Sequence, residues 1–186
     1  TKYFIIFVLV IFLGVTLYID IFKYFIPNSL YWSGLKVVPL ALLANITLGI
    51  YFNLSMWYKL TSKTYFGSRI TIIAAVVTVL LNILLIKQMG YMACAWARFI
   101  GYLIMAVLAY VYGQKYYPIK YNWKAISLYM GLAALVYVIS LYTVINNQFL
   151  NIFKNTILLL GFITFVLIKE NIYKRFFNGS KNSQPV

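Results

Sequence analysis

From Tyr3 to Ile19 the chain runs for 17 residues without a charged side chain, and five more apolar runs follow, each broken by at most one charge. A membrane-crossing helix needs about 20 mostly apolar residues, with a usual range near 17–25. Inside hydrocarbon every backbone N–H and C=O must be bonded within the protein, which leaves only helices and closed barrels. Barrel strands alternate apolar and polar residues over about 10 positions. Stretches such as IIAAVVTVLLNILLI do not alternate, so the runs predict helices. They are apolar on most sides, as helices in lipid are.

Six spans are expected: 3–19, 37–58, 70–86, 90–112, 123–145 and 149–168. Pro39 falls in the first turn of the second, where its missing N–H matters least. Lys154 lies close enough to the start of the sixth to reach the interface. The fold class is all-α integral membrane. The segment 1–112 holds four helices, 113–168 holds two more, and 169–186 is a basic tail, polar and expected to be disordered from Asn178 onward.

Composition excludes the main competitors. Hydrophobic residues make up 64% and charged residues 10%, against roughly 45–50% and about 25% in ordinary soluble domains. A soluble enzyme could not cover that much apolar surface. The chain has no His and only two acids, Asp20 and Glu170. Most of the equipment for metal binding and general acid–base chemistry is therefore missing. No metal site, cofactor or catalytic set is expected, and the chain is read as a non-enzyme. The single Cys94 excludes an internal disulfide framework and a CxxC site, and its apolar surroundings predict a buried packing thiol. The chain opens on Thr1 without a cleavage pattern after its first apolar run, and is read as an interior piece of a longer membrane protein. Glu170 and Lys174 stand four apart, the spacing of a surface helix pair.

The net charge of +14 first suggests nucleic acid, but its placement argues otherwise. The side that would hold both ends carries Lys2, Lys59, Lys63, Arg69, Lys115, Lys120, Lys124, Lys169, Lys174, Arg175 and Lys181, eleven in all. The opposite side carries four, Lys23, Lys36, Lys87 and Lys154. The positive-inside rule then puts both ends in the cytoplasm. Tyr31-Trp32, Trp57-Tyr58, Tyr116-Tyr117 and Trp123 fall near span edges, as an interfacial belt would. The basic excess reads as a marker of topology and a partner for anionic headgroups. No basic face or motif argues for nucleic acid.

Three helix faces carry small and polar residues. The second span has Ala41, Asn45, Gly49 and Asn53 at steps of four, and the third has Thr71, Ala75, Thr78 and Asn82. The fourth has Ala93, Ala97 and Gly101, with Gly90 and Cys94 nearby. Such rows let helices approach closely, with amides bonding across. Gly49, Ala93, Ala97 and Gly101 are read as this packing seam. The other reading of Asn45, Asn53, Thr78 and Asn82 is a water-filled cavity that contacts a polar substrate. Arg98 is the sharpest residue. It lies eight residues past Gly90, about 12 Å along a helix, which places it near mid-bilayer. Arg there costs roughly 2.5–3.5 kcal/mol on insertion scales, so it normally faces a bundle interior or an aqueous cavity. Its partner is an acid elsewhere, backbone carbonyls, an anionic substrate or, by snorkelling, a lipid headgroup.

The stretch from Pro39 to Lys59, the Lys63-Thr64 loop, and Asn82 to Ala97 resemble the bacterial polysaccharide exporters and lipid-linked oligosaccharide flippases. Within the multidrug/oligosaccharidyl-lipid/polysaccharide exporter superfamily the resemblance is to the O-antigen flippase branch. Gly90 of the hairpin is kept, while Lys87 stands where that family commonly has Pro. The resemblance covers about residues 1–125 well and the last two helices by number and position. It implies helices nine to fourteen of a fourteen-helix flippase in the bacterial inner membrane, with both ends cytoplasmic and the first lobe of the same protein as partner. It also implies a polyprenyl diphosphate-linked oligosaccharide as substrate, alternating access as mechanism and Arg98 at the central cavity. Three other classes stay open: an ion-coupled drug antiporter of the same superfamily, a membrane enzyme such as a glycan polymerase, and a non-transporting assembly subunit. The antiporter would usually need a membrane-embedded carboxylate. The enzyme would be expected to show a large polar loop.

Overall fold

A computed structural model describes residues 2–119, 123–143 and 148–170. The regular structure of the described residues is all helical, without a strand. The helices are α1 (Lys2–Leu17), α2 (Ile19–Phe22), α3 (Val38–Leu54), α4 (Met56–Leu60), α5 (Tyr65–Met89), α6 (Tyr91–Tyr116), α7 (Trp123–Tyr142) and α8 (Gln148–Lys169). Two 3₁₀ stretches, Lys23–Phe25 and Ser29–Val37, join α2 to α3. Five helices are long and apolar enough to cross a membrane, and a sixth span results if the bent pair at the start counts as one. The chain is an all-α, multi-pass membrane protein.

The spans run longer than expected at several ends. The 3₁₀ stretch feeds into α3, so one span extends over Tyr31–Leu60, with Pro39 in the first turn of α3. Helices α5 and α6 each continue through polar residues, because a helix that leaves hydrocarbon loses no backbone bonds by continuing. The first span departs most. A straight helix to Ile19 is expected, but α1 stops at Leu17 and the following segment to Phe25 turns away by 59°. Thr16 Oγ1 donates to the Phe12 carbonyl at 2.7 Å, a back-bond of the kind that bends helices. The Ile21 amide bonds Tyr18 O instead of Leu17 O. Asn155 of α8 takes the freed Leu17 carbonyl, donating from Nδ2 at 2.7 Å. A side chain from a neighbouring helix thus stabilises the break.

Helix α6 is the centre of the packing. Ala93, Ala97, Gly101, Met105, Ala109 and Gly113 are all buried at steps of four, a single ridge over six turns. It packs most extensively on α3 and nearly as much on α5. Gly49, Ala93, Ala97 and Gly101 lie where helices meet. A Cβ added at Gly101 would lie 2.2 Å from Thr78 Oγ1 of α5, and one at Gly49 would lie 2.5 Å from the Phe4 ring of α1. The α5–α6 hairpin turns on Gly90 at φ +54°, a backbone state that costs little only for glycine.

Helix α1 packs with α7 and α8 around Leu9, Phe12, Leu13, Tyr129, Ala133, Phe162 and Val166, with Ile46 of α3 joining that core. One end of this group is closed by a buried carboxylate. Glu170 accepts from Tyr129 Oη at 2.5 Å and pairs with Lys2 Nζ at 2.5 Å. The sequence expectation was an exposed pair with Lys174. Lys174 lies outside the described residues, and Glu170 turns inward because three helix ends meet there. The expected tail from 171 onward also lies outside them. Lys154 bonds the Thr143 carbonyl at 2.6 Å, serving the open C-terminal end of α7.

The interfacial belt needs one correction. Tyr31, Trp32, Tyr116, Tyr117 and Trp123 are exposed, but Trp57 is 1% exposed and Tyr58 is buried. Trp57 Nε1 donates to Ala109 O at 3.1 Å and its ring stacks on Tyr116. Gly113 leaves room for it, since a Cβ there would meet Trp57 at 3.0 Å. With both its ring and its N–H satisfied by protein, Trp57 has no need of the interface.

Candidate functional site: a polar cavity beside Arg98

A cavity of about 400 Å³ opens between α3, α5 and α6, lined by Val37, Ala41, Thr78, Asn82, Tyr91, Cys94, Ala95 and Arg98. Helical spacing explains the set. Thr78 and Asn82 are four apart on α5, while Tyr91, Cys94, Ala95 and Arg98 fall at i, i+3, i+4 and i+7 on α6, one face of the helix. The buried ridge of α6 starts one residue away, at Ala93 and Ala97. The cavity wall and the packing seam are therefore adjacent stripes of the same helix.

The polar groups on this wall are unequally satisfied. Thr78 Oγ1 donates to Ala74 O at 2.8 Å, and Asn82 Nδ2 donates to Thr78 O at 2.9 Å. Asn82 Oδ1 is buried with no partner among the described residues. Arg98 is exposed and makes no hydrogen bond or ion pair among the described residues. A guanidinium carries five donors and no acceptor. The site therefore combines a permanent positive charge, an unpaired buried amide acceptor and a hydroxyl. Neither acid of the chain reaches it. Asp20 pairs with Lys23, and Glu170 is held at the Lys2–Tyr129 contact.

Of the expected cavity residues, the structure brings together Arg98, Asn82 and Thr78 and leaves out Asn45 and Asn53. Asn45 is exposed away from the cavity, and Asn53 bonds its own helix, Nδ2 to Gly49 O at 3.1 Å. A step of four advances about 40° round a helix, so the row from Ala41 to Asn53 winds through about 120°. Only Ala41, at its start, reaches the wall. Helix α6 runs from Tyr91 to Tyr116, so its midpoint falls between Leu103 and Ile104, about 8 Å beyond Arg98 along the axis.

Cys94 is exposed rather than buried. It stands one turn before Arg98 on the cavity face, whereas Ala93 and Ala97 take the packed positions. The i, i+3, i+7 spacing of Tyr91, Cys94 and Arg98 was the available signal for this. Among the described residues, no group of His, Cys, Asp or Glu could hold a metal ion. Comparison with known protein families, with curated proteins and with solved structures gives no match.

Proposed function

We propose that this chain is part of a membrane transporter that flips lipid-linked oligosaccharide or polysaccharide precursors across the bacterial inner membrane by alternating access, in O-antigen or capsule-type biosynthesis. The observation that carries the proposal is the cavity with an unpaired Arg98 beside an unpaired buried amide oxygen, in a bundle whose five long spans hold no carboxylate among the described residues. A diphosphate-linked glycan cannot cross hydrocarbon unaided, because its charges and hydroxyls would lose their water. A wet, cationic, hydrogen-bonding path replaces that water. Two bundles rocking about such a site move the head group while the polyprenyl tail stays in lipid, without covalent chemistry. In this reading Arg98 attracts the diphosphate and Asn82 and Thr78 meet sugar hydroxyls. The other lobe of the transporter supplies the facing wall. Both ends of the segment lie in the cytoplasm, where anionic headgroups meet the eleven basic residues on that side.

The test is glycan export in cells expressing the full protein at normal level. Arg98→Gln is expected to lower export about tenfold or more, the loss of one charge-assisted contact. Arg98→Lys keeps the charge without the planar fork and is expected to fall between. Undiminished export with Gln would remove Arg98 from the mechanism.

A further inference from the structure

A second cavity, of about 370 Å³, lies at the corner where α1 breaks, walled by the segment from Leu17 to Tyr24, Trp32 and the first turns of α8. It sits at the end of the bundle opposite Glu170, on the same level as the α5–α6 hairpin. Several of its polar groups are already committed. Asn155 bonds Leu17 O and accepts from Ser140 Oγ, Tyr18 Oη meets Thr156 Oγ1 at 2.7 Å, and Tyr24 Oη donates to Gln148 Oε1 at 2.9 Å. Three groups keep capacity. Asn151 Oδ1 is buried with no partner among the described residues, and Asp20 and Lys23 form an exposed pair with each other.

We propose that this corner binds the headgroup of a zwitterionic phospholipid bearing a primary ammonium, of the phosphatidylethanolamine class. Asp20 takes the ammonium, Lys23 the phosphate, and the Asn151 amide a remaining polar atom. Three observations carry this. Position comes first: Tyr24 and Phe25 beside the cavity are 71% and 77% exposed, and Phe149 is 77% exposed. Rings placed so at the end of spans sit at headgroup level. Charge comes second. The chain has 16 basic residues and two acids, yet one of those acids lines this wall beside a single lysine, which makes the corner neutral. An anionic headgroup would find no excess positive charge here, and a neutral glycan would use neither ion. Opening costs little, because an exposed ion pair contributes little to stability. This inference stands apart from the transport reading.

The experiment is native mass spectrometry of the full chain in detergent with phosphatidylethanolamine, phosphatidylcholine and phosphatidylglycerol at equal concentrations. The ethanolamine lipid is expected to be retained in about tenfold preference over both others, since the trimethylated ammonium of choline donates no N–H. Asp20→Ala is expected to lower its retention about tenfold with unchanged thermal stability, and Asp20→Glu to restore it. Equal retention in Asp20→Ala would overturn the proposal, as would equal binding of the choline lipid or preference for phosphatidylglycerol. Displacement of the bound lipid by added maltose would identify a glycan pocket instead, and would overturn it too.

Discussion

Gly101 of α6 lies directly against Thr78 of α5. A methyl group at Gly101 would lie 2.2 Å from Thr78 Oγ1, a hydroxyl already held by Ala74 O. In lipid no hydrophobic force drives helices together, so close contact along a row of small residues carries the association. Gly101→Ala is therefore expected to cost about 1–3 kcal/mol, the usual range for overpacking. Adding Thr78→Ala removes the obstructing hydroxyl and should restore most of that loss. Thermal unfolding of the two single variants and the double variant in detergent measures the coupling. Strict additivity would mean that the hydroxyl is not the obstacle. Since Thr78 also lines the Arg98 cavity, the same contact sets where that wall stands.

At the level of elements, the broken first span depends on a neighbour. The Leu17 carbonyl left open by the turn at Tyr18 is bonded by buried Asn155, and Ser140 holds the other end of that amide at 3.1 Å. Asn155→Leu would leave a buried carbonyl without a donor, at a cost of about 1–3 kcal/mol. Ser140→Ala removes only the outer bond and is expected to cost less than about 1 kcal/mol. Urea unfolding of both variants in detergent distinguishes them, and equal losses would mean that the Leu17 contact does not hold the corner. Within the run from Tyr3 to Ile19 only the Thr16 back-bond favours a bend, and the donor that holds the break is on α8, more than 130 residues away in the chain.

For the whole molecule, the arrangement of exposed surface matches a bilayer. The outer side of α5 presents Ile72, Ile73, Val76, Val79, Leu80, Ile83 and Leu84, which faces lipid without penalty. The exception is the Arg98 cavity, where a charge and a thiol are open together. A water-filled cavity predicts that Cys94, as the sole thiol, reacts with a membrane-impermeant maleimide. In the proposed orientation, with both ends in the cytoplasm of a bacterium, the α5–α6 hairpin would face outward, so labelling is expected in intact spheroplasts. Labelling only after permeabilisation would reverse the orientation drawn from the lysine distribution, and no labelling in either state would mean a dry cavity. Arg98→Gln should leave the labelling rate within about twofold if the cavity exists independently of the charge.

Fold class and the existence of the spans were legible in the sequence, because hydrocarbon imposes one requirement on every residue of a span and that requirement shows as composition. The α6 seam was legible as well, since small residues at steps of four serve one purpose in a membrane. The faces of α3 were not. Four residues at equal spacing could be named as a row, but which of them meets the cavity depends on where α1, α5 and α6 stand around that helix. Thus Ala41 lines the wall while Asn45 and Asn53 do not. The inward turn of Glu170 and the protected Trp57 were likewise decided by tertiary structure. Their partners come from other helices, and the distances that join them are not written in any local period.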